Sequence, residues 1–265
     1  RVKTDNDENA DCDDPAIWVH PEDEEDSIVI VTAKEGGLDV FDCEGQKIQH
    51  ISRESGPDPE KDKQSRFNNV DLIYEFKLKS GEEVDLAVVS DRGFDKLRVF
   101  AINAKAAAEK KNCLTEITAP HQPWLFASSQ AEVNQIKAAY GVCTAKIADD
   151  KAYIFASEYN STTIGQFLLY SDDDDHIAYS IVDYFDLPEE FVSTNGDIWR
   201  PRSVLSEGMV YDAFHETLYI GQEDVGVWKM SIENPDETKV LMDNVYDSNY
   251  LDDDIEGLTI YEAAD

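Results

Sequence analysis

The chain has 265 residues, of which 57 are Asp or Glu against 23 Lys or Arg, for a formal charge of −34. That length suits one large domain with a substantial core, and the charge excludes nucleic acid and anionic membranes as partners unless cations intervene. No stretch approaches the roughly 18 apolar residues of a membrane span, and the opening RVKTDNDENA lacks the apolar core of a signal peptide, as expected of a mature or excised segment.

Short apolar runs separated by turn signals follow one another along the chain. AIWVH, SIVIVTAK, LDVFDC and KIQHI form a first set of four predicted strands, and VDLIYEF, VDLAVVS, KLRVFAI and LTEIT a second. YGVCTAK, AYIFAS, TIGQFLLY and IAYSIVDYF form a third, and EGMVYD, TLYIGQ, VGVWKMS and TKVLMDN a fourth. A fifth set begins at IEGLTIYE, where the chain ends. Helical periodicity is confined to 104–111 and 131–139. Meandering groups of four strands at this spacing predict an all-β fold, a β-propeller of about four complete blades plus the start of a fifth, forming one domain over residues 1–265.

A polar residue stands at or near the start of each set: Asp14, Asp71, Tyr140, Glu207 and Glu256. First strands line a propeller's channel, so these side chains are expected to converge at one channel mouth. A ring of carboxylates there is a cation site; otherwise these residues are chance members of an acidic, solvated surface. Cys12, Cys43, Cys113 and Cys143 fit no zinc spacing and are either buried thiols or partners in one or two disulfides. DNDENAD at 5–11 lacks the glycine and distal glutamate of an EF-hand loop, and the run Asp172–Asp175 reads as a solvated turn. Trp124 and Phe126 read as blade packing. Histidine-phosphate (RHG), cysteine-phosphate, zinc, P-loop and serine-nucleophile patterns are all missing, which leaves metal-and-water chemistry for any hydrolase reading.

Six strings taken in order, DDPAIWVHP at 13–21, NNVD at 68–71, YG at 140–141, SEGMVYD at 206–212, QEDVGVWK at 222–229 and DIEGLTIY at 254–261, resemble those of β-propeller phytases across nearly the whole chain. The resemblance implies a six-bladed fold with several calcium ions at one channel mouth. It implies calcium-dependent hydrolysis of phosphomonoesters in phytate or less phosphorylated inositol phosphates; the blade count, short of the family's six, leaves as the alternative a non-catalytic module that binds calcium or inositol phosphates and assists a neighbouring complete phytase domain. By position it implies calcium ligation by Asp13, Asp14, Tyr140, Glu207, Glu223, Asp254 and Glu256. It gives catalytic roles to Glu207, Tyr140, Lys34 and Arg92, with Lys34, Arg92 and Tyr140 holding phosphate. Lys34 and Arg92 also have a plainer reading as salt-bridge partners in an acidic chain. ASEYNSTT at 156–163 departs from the family, offering no counterpart to its usual Lys-Glu pair.

The resemblance further implies a secreted or periplasmic setting. An open propeller edge is expected to find cover from residues before Asp13, a second copy, or a following, tandem domain.

Overall fold

The computed structural model describes residues 12–248 and 250–261. Residues before Cys12, expected as one cover for the open edge, lie outside that range. Four antiparallel meanders of four strands account for most of the chain. Blade 1 comprises β1 (Cys12–Trp18), β2 (Ile28–Ala33), β3 (Gly37–Asp42) and β4 (Lys47–Ile51). Blade 2 comprises β5 (Phe67–Lys77), β6 (Glu83–Asp91), β7 (Lys96–Ile102) and β8 (Leu114–Glu116). A short helix, α1 (Ala104–Ala108), joins its last two strands, and α2 (Gln130–Asn134) lies in the connection that follows.

Blade 3 comprises β9 (Ala139–Ala148), β10 (Lys151–Glu158), β11 (Thr163–Ser171) and β12 (Ile177–Asp186). A two-stranded hairpin, β13 (Phe191–Val192) and β14 (Ile198–Trp199), precedes blade 4, which comprises β15 (Ser206–Asp212), β16 (Thr217–Gln222), β17 (Gly226–Ser231) and β18 (Val240–Asn244), with α3 (Pro235–Thr238) before its last strand. The first strands are neighbours in chain order: β1 against β5, β5 against β9, and β9 against β15. This is a β-propeller arrangement, as the strand grouping predicts. Residues 254–259 follow in the next first-strand place, with Glu256 O close against Gly208, and form no ladder of their own.

Side-chain alternation explains how the blades stack. Successive residues of a strand face opposite sides, so Leu86 and Val88 of β6 enter the core shared with blade 3, while Ala87 and Val89 enter the core shared with blade 1. In β10, Ile154 and Ala156 face blade 2, and Phe155 faces blade 4. Inner strands buried on both faces read as continuous apolar runs, which is why AVV and IFA stand out in the sequence. Trp18, Phe67, Phe76, Phe100, Phe155 and Phe167 are fully buried, each contributing about 1.5–3 kcal/mol of transfer free energy. Phe126 packs edge-on against Phe167, as blade packing requires. No described helix is long and apolar enough to cross a membrane. Cys43, Cys113 and Cys143 are free thiols, the last two buried.

Candidate functional site

Each blade breaks its first-strand register at one equivalent point: between Cys12 and Pro15, between Phe67 and Val70, between Ala139 and Val142, and between Ser206 and Met209. A bulge leaves its residues unpaired and re-aims their side chains. The bulged pairs are Asp13–Asp14, Asn68–Asn69, Tyr140–Gly141 and Glu207–Gly208, so one local irregularity, repeated by blade, presents the polar ring.

Hydroxyls on the second strands fix the spacing of that ring. Thr32 Oγ1 accepts from Asp14 N at 3.1 Å and donates to Asn68 O at 2.5 Å. Ser90 Oγ accepts from Asn69 N and donates to Tyr140 O at 2.6 Å, and Ser157 Oγ accepts from Gly141 N and donates to Ser206 O. Each hydroxyl therefore ties its own blade to the next. Glycine permits the close approach of β9 to β15, since a Cβ on Gly141 would stand 2.3 Å from Glu207 O. Two residues beyond each hydroxyl come Lys34, Arg92 and Tyr159; Glu223 fills the corresponding place in blade 4. The backbone N–H groups of Arg92, Tyr159 and Glu223 donate to Arg66, Ala138 and Leu205, the residues just ahead of the respective bulges.

These eight places meet at one end of the channel. Tyr140 Oη donates to Glu207 Oε2 at 2.6 Å and shares that proton with Glu223 Oε1 at 3.2 Å. Asn68 Nδ2 donates to Glu207 Oε1 at 2.8 Å. Lys34 Nζ pairs with Asp13 Oδ1 at 2.5 Å, which realises the salt-bridge reading for this lysine. Arg92 makes no ion pair with a carboxylate among the described residues; its guanidinium lies 3.3 Å from the Tyr159 ring centroid and 5.6 Å from that of Tyr140.

Burial dominates the electrostatics. It pushes Glu207 up to about 8, with Asp13 and Glu223 adding to the rise and Tyr140 and Lys34 opposing it. Glu223 rises to about 7, again chiefly by burial, with Asp254 and Glu256 as negative neighbours. The Tyr140 phenol is held well above its ordinary range by burial and by both glutamates, so it is a committed donor. Lys34 and Arg92 supply positive charge beside carboxyls that titrate near neutrality.

Not every expected residue joins this cluster. Asp71 turns to blade 3, where its Oδ2 accepts from Thr144 N at 2.7 Å, because the bulge lies three residues earlier and gives the ring Asn68 instead. Asp14 faces Val70 N at 3.0 Å, leaving Asp13 to meet Lys34. Asp254 and Glu256 are exposed; the backbone N–H of Asp254 donates to Glu223 O at 3.0 Å, bringing that segment beside Glu223. Among the described residues, no three His, Cys, Asp or Glu side chains stand together as a formed metal centre. The donor set nonetheless suits a hard cation: it consists of oxygens, and Asp13 Oδ2, Asn68 Oδ1 and Ser206 Oγ are buried without a hydrogen-bond partner. Asn68, Ser206 and Tyr159 carry no individual signal in the sequence, although they lie within NNVD, SEGMVYD and ASEYNSTT.

A family model described as Phytase matches residues 2–265. The chain belongs to the phytase family. A curated phytase, the 3-phytase of Bacillus subtilis (strain 168), is 32% identical over 256 residues, covering 95% of this chain. The chain spans 56% of that relative's length. Among solved structures, BBS1N in its complex with ARL6DN aligns at a TM-score of 0.44 with 9% identity, over 86% of this chain and 52% of that one. A chain of Polycomb Repressive Complex 2 from Chaetomium thermophilum aligns at 0.41 with 11% identity, over 93% and 45%. Neither likeness bears on what this phytase-family chain does.

Proposed function

We propose that this chain is a calcium-dependent phosphomonoester hydrolase acting on phytate or less phosphorylated inositol phosphates, in a secreted or periplasmic setting. The observation that carries the reading is the convergence of Tyr140 and Glu207, from the first-strand bulges, with Lys34, Arg92 and Glu223, from the ends of the second strands, across four blades. Family membership and the relative's name supply the substrate class.

In this reaction a water oxygen bonds to phosphorus, the ester P–O bond breaks, and the inositol oxygen leaves as a hydroxyl. Glu207, held at the centre of the cluster, is the carboxylate placed to take up and return a proton; burial raises its pKa to about 8 in the metal-free protein, and a cation held there would lower it. Tyr140 and Asn68 fix that carboxylate from two sides. Arg92 and Lys34 receive the phosphoryl oxygens, Lys34 exchanging its bond to Asp13 for one to substrate. Asp13, Asp14, Glu207, Glu223, Asp254, Glu256 and Tyr140, with the orphan oxygen of Asn68, are the residues that would hold calcium. Calcium bound there would neutralise carboxylate charge and act as a Lewis acid toward the phosphoryl group.

The test is phosphate release from inositol hexakis- and tetrakisphosphate, with calcium and with chelator, beside Glu207→Gln. Calcium-dependent release that the variant loses supports hydrolysis. Tight ligand binding with no release by either protein identifies a binding module instead.

A further inference from the structure

Tyr159 occupies the same place in blade 3 that Arg92 and Glu223 occupy in blades 2 and 4, with the same backbone hydrogen bond. Its neighbours are already members of the site. We propose that Tyr159 is a positioning residue, whose ring carries the Arg92 guanidinium and braces the Tyr140 phenol so that Arg92 keeps its N–H donors for phosphate. This inference rests on the phosphate-hydrolysis reading above.

Arg92 lacks the partners a buried arginine ordinarily has. Its side chain is only 8% exposed, its Nε has no hydrogen-bond partner, and no described carboxylate pairs with it. Burial first, and then the charge of Arg66, pull its pKa down. A buried guanidinium left in that state is costly. The Tyr159 ring, 3.3 Å beneath it, offsets the cost through the negative face of its π system, and the Tyr159 hydroxyl adds to that support, with no carboxylate bound to the guanidinium. The same ring meets Tyr140 edge-on at 5.3 Å and 66°, linking the cation to the phenol that holds Glu207.

The neighbouring arginines show the alternative. Arg53 and Arg66 both face Glu35, at 2.6 and 3.2 Å; Arg53 spends an N–H on it, and the carboxylate's charge repels phosphate from both. Arg92 shares a cavity of about 400 Å³ with them, yet is held by an aromatic face and not by an acid. Tyr159 thereby determines that one arginine in this basic cavity stays available.

The experiment compares Tyr159→Leu and Tyr159→Phe in two measurements. In steady-state phosphate release from inositol tetrakisphosphate, Leu should raise KM about tenfold and change kcat by less than about threefold, while Phe restores KM to within about threefold of the parent. In NMR, the Arg92 Nε–H resonance of the parent protein should show an upfield ring-current shift that Phe keeps and Leu abolishes. In an Arg92→Ala background, adding Tyr159→Leu should raise KM no further.

An unchanged KM in folded Tyr159→Leu overturns the proposal, as does a Phe variant as impaired as Leu or a parent Arg92 resonance without ring shift. If the parent protein releases no phosphate, the hydrolase reading fails, and the ring-current shift alone decides whether Tyr159 holds Arg92. If Tyr159→Leu does not fold, the Phe kinetics and the parent resonance decide it.

Discussion

The phenol oxygen of Tyr140 and the carboxylate of Glu207, 67 residues apart in the chain, meet at 2.6 Å, and this bond joins blade 3 to blade 4 at the centre of the site. Tyr140→Phe removes the donor without changing the packing of the ring. Its expected effect is a loss of roughly 10²-fold or more in phosphate release, the size seen when one charge-directed donor is deleted. Initial rates at saturating substrate check it, and a melting temperature close to the parent's separates the effect from unfolding.

Protonation should stabilise the metal-free protein. Asp14, Asp91 and Asp95 are each raised to about 6, Glu223 to about 7 and Glu207 to about 8, all chiefly by burial. Groups whose folded pKa exceeds the unfolded value contribute stability that is complete below the unfolded value, near 4, and is lost as pH rises through the folded one. Melting temperature in chelator should therefore climb as pH falls from 8.5 to about 4.5. A flat or opposite profile would contradict the burial argument.

Calcium should reverse that penalty at neutral pH. A ligand at about 100 times its Kd adds roughly 2.7 kcal/mol per independent site. Melting temperature at pH 7.5 is expected to rise with calcium and fall with chelator, and Asn68→Leu or Glu223→Gln should shift the calcium midpoint to higher concentration. Differential scanning calorimetry across a calcium titration reads both effects.

Lys34 and Arg92 should behave differently when truncated. Lys34→Ala leaves the half-buried Asp13 beside Glu207 with its partner gone, so it should cost about 1–3 kcal/mol of stability as well as phosphate affinity. Arg92→Ala strands no carboxylate and should weaken phosphate handling with a smaller stability loss. Chemical denaturation and KM, measured on the same preparations, distinguish them.

Gly141→Ala tests the close approach of β9 and β15. The added methyl would fall 2.3 Å from Glu207 O, so the strands must separate, at about 1–3 kcal/mol and with loss of the Tyr140–Glu207 bond. Ala at Gly81, where nothing lies within 4 Å but φ is +92°, serves as a comparison that carries backbone strain alone.

Strands were legible because inner blades are buried on both faces and their apolar runs are unbroken, as at Ala87–Val89 and Ile154–Ala156. The hairpin Phe191–Val192 and Ile198–Trp199 was not, since two-residue strands carry no alternation to read. The site was half legible. Glu207 and Tyr140 could be placed from their strings, but Asp71 was expected where Asn68 stands, because a bulge shifts register without any fixed residue type. Tyr159 was hidden for the related reason that lysine, arginine, tyrosine and glutamate fill equivalent places and share no chemistry. The usable signal was a hydroxyl two residues earlier, at Thr32, Ser90 and Ser157.

The repeated bulge makes the channel mouth modular. Each blade offers one bulge side chain and one second-strand side chain on a common frame: Asp13 with Lys34, Asn68 with Arg92, Tyr140 with Tyr159, and Glu207 with Glu223. The frame is set by backbone and hydroxyl bonds, while the side chains it presents touch across blades, Asn68 and Tyr140 on Glu207 and Arg92 on Tyr159, so exchanging one pair obliges its neighbour to adapt. Charge around the mouth is then permuted by neighbouring blades together, turning substrate preference into a combinatorial variable in place of a fixed property of the fold.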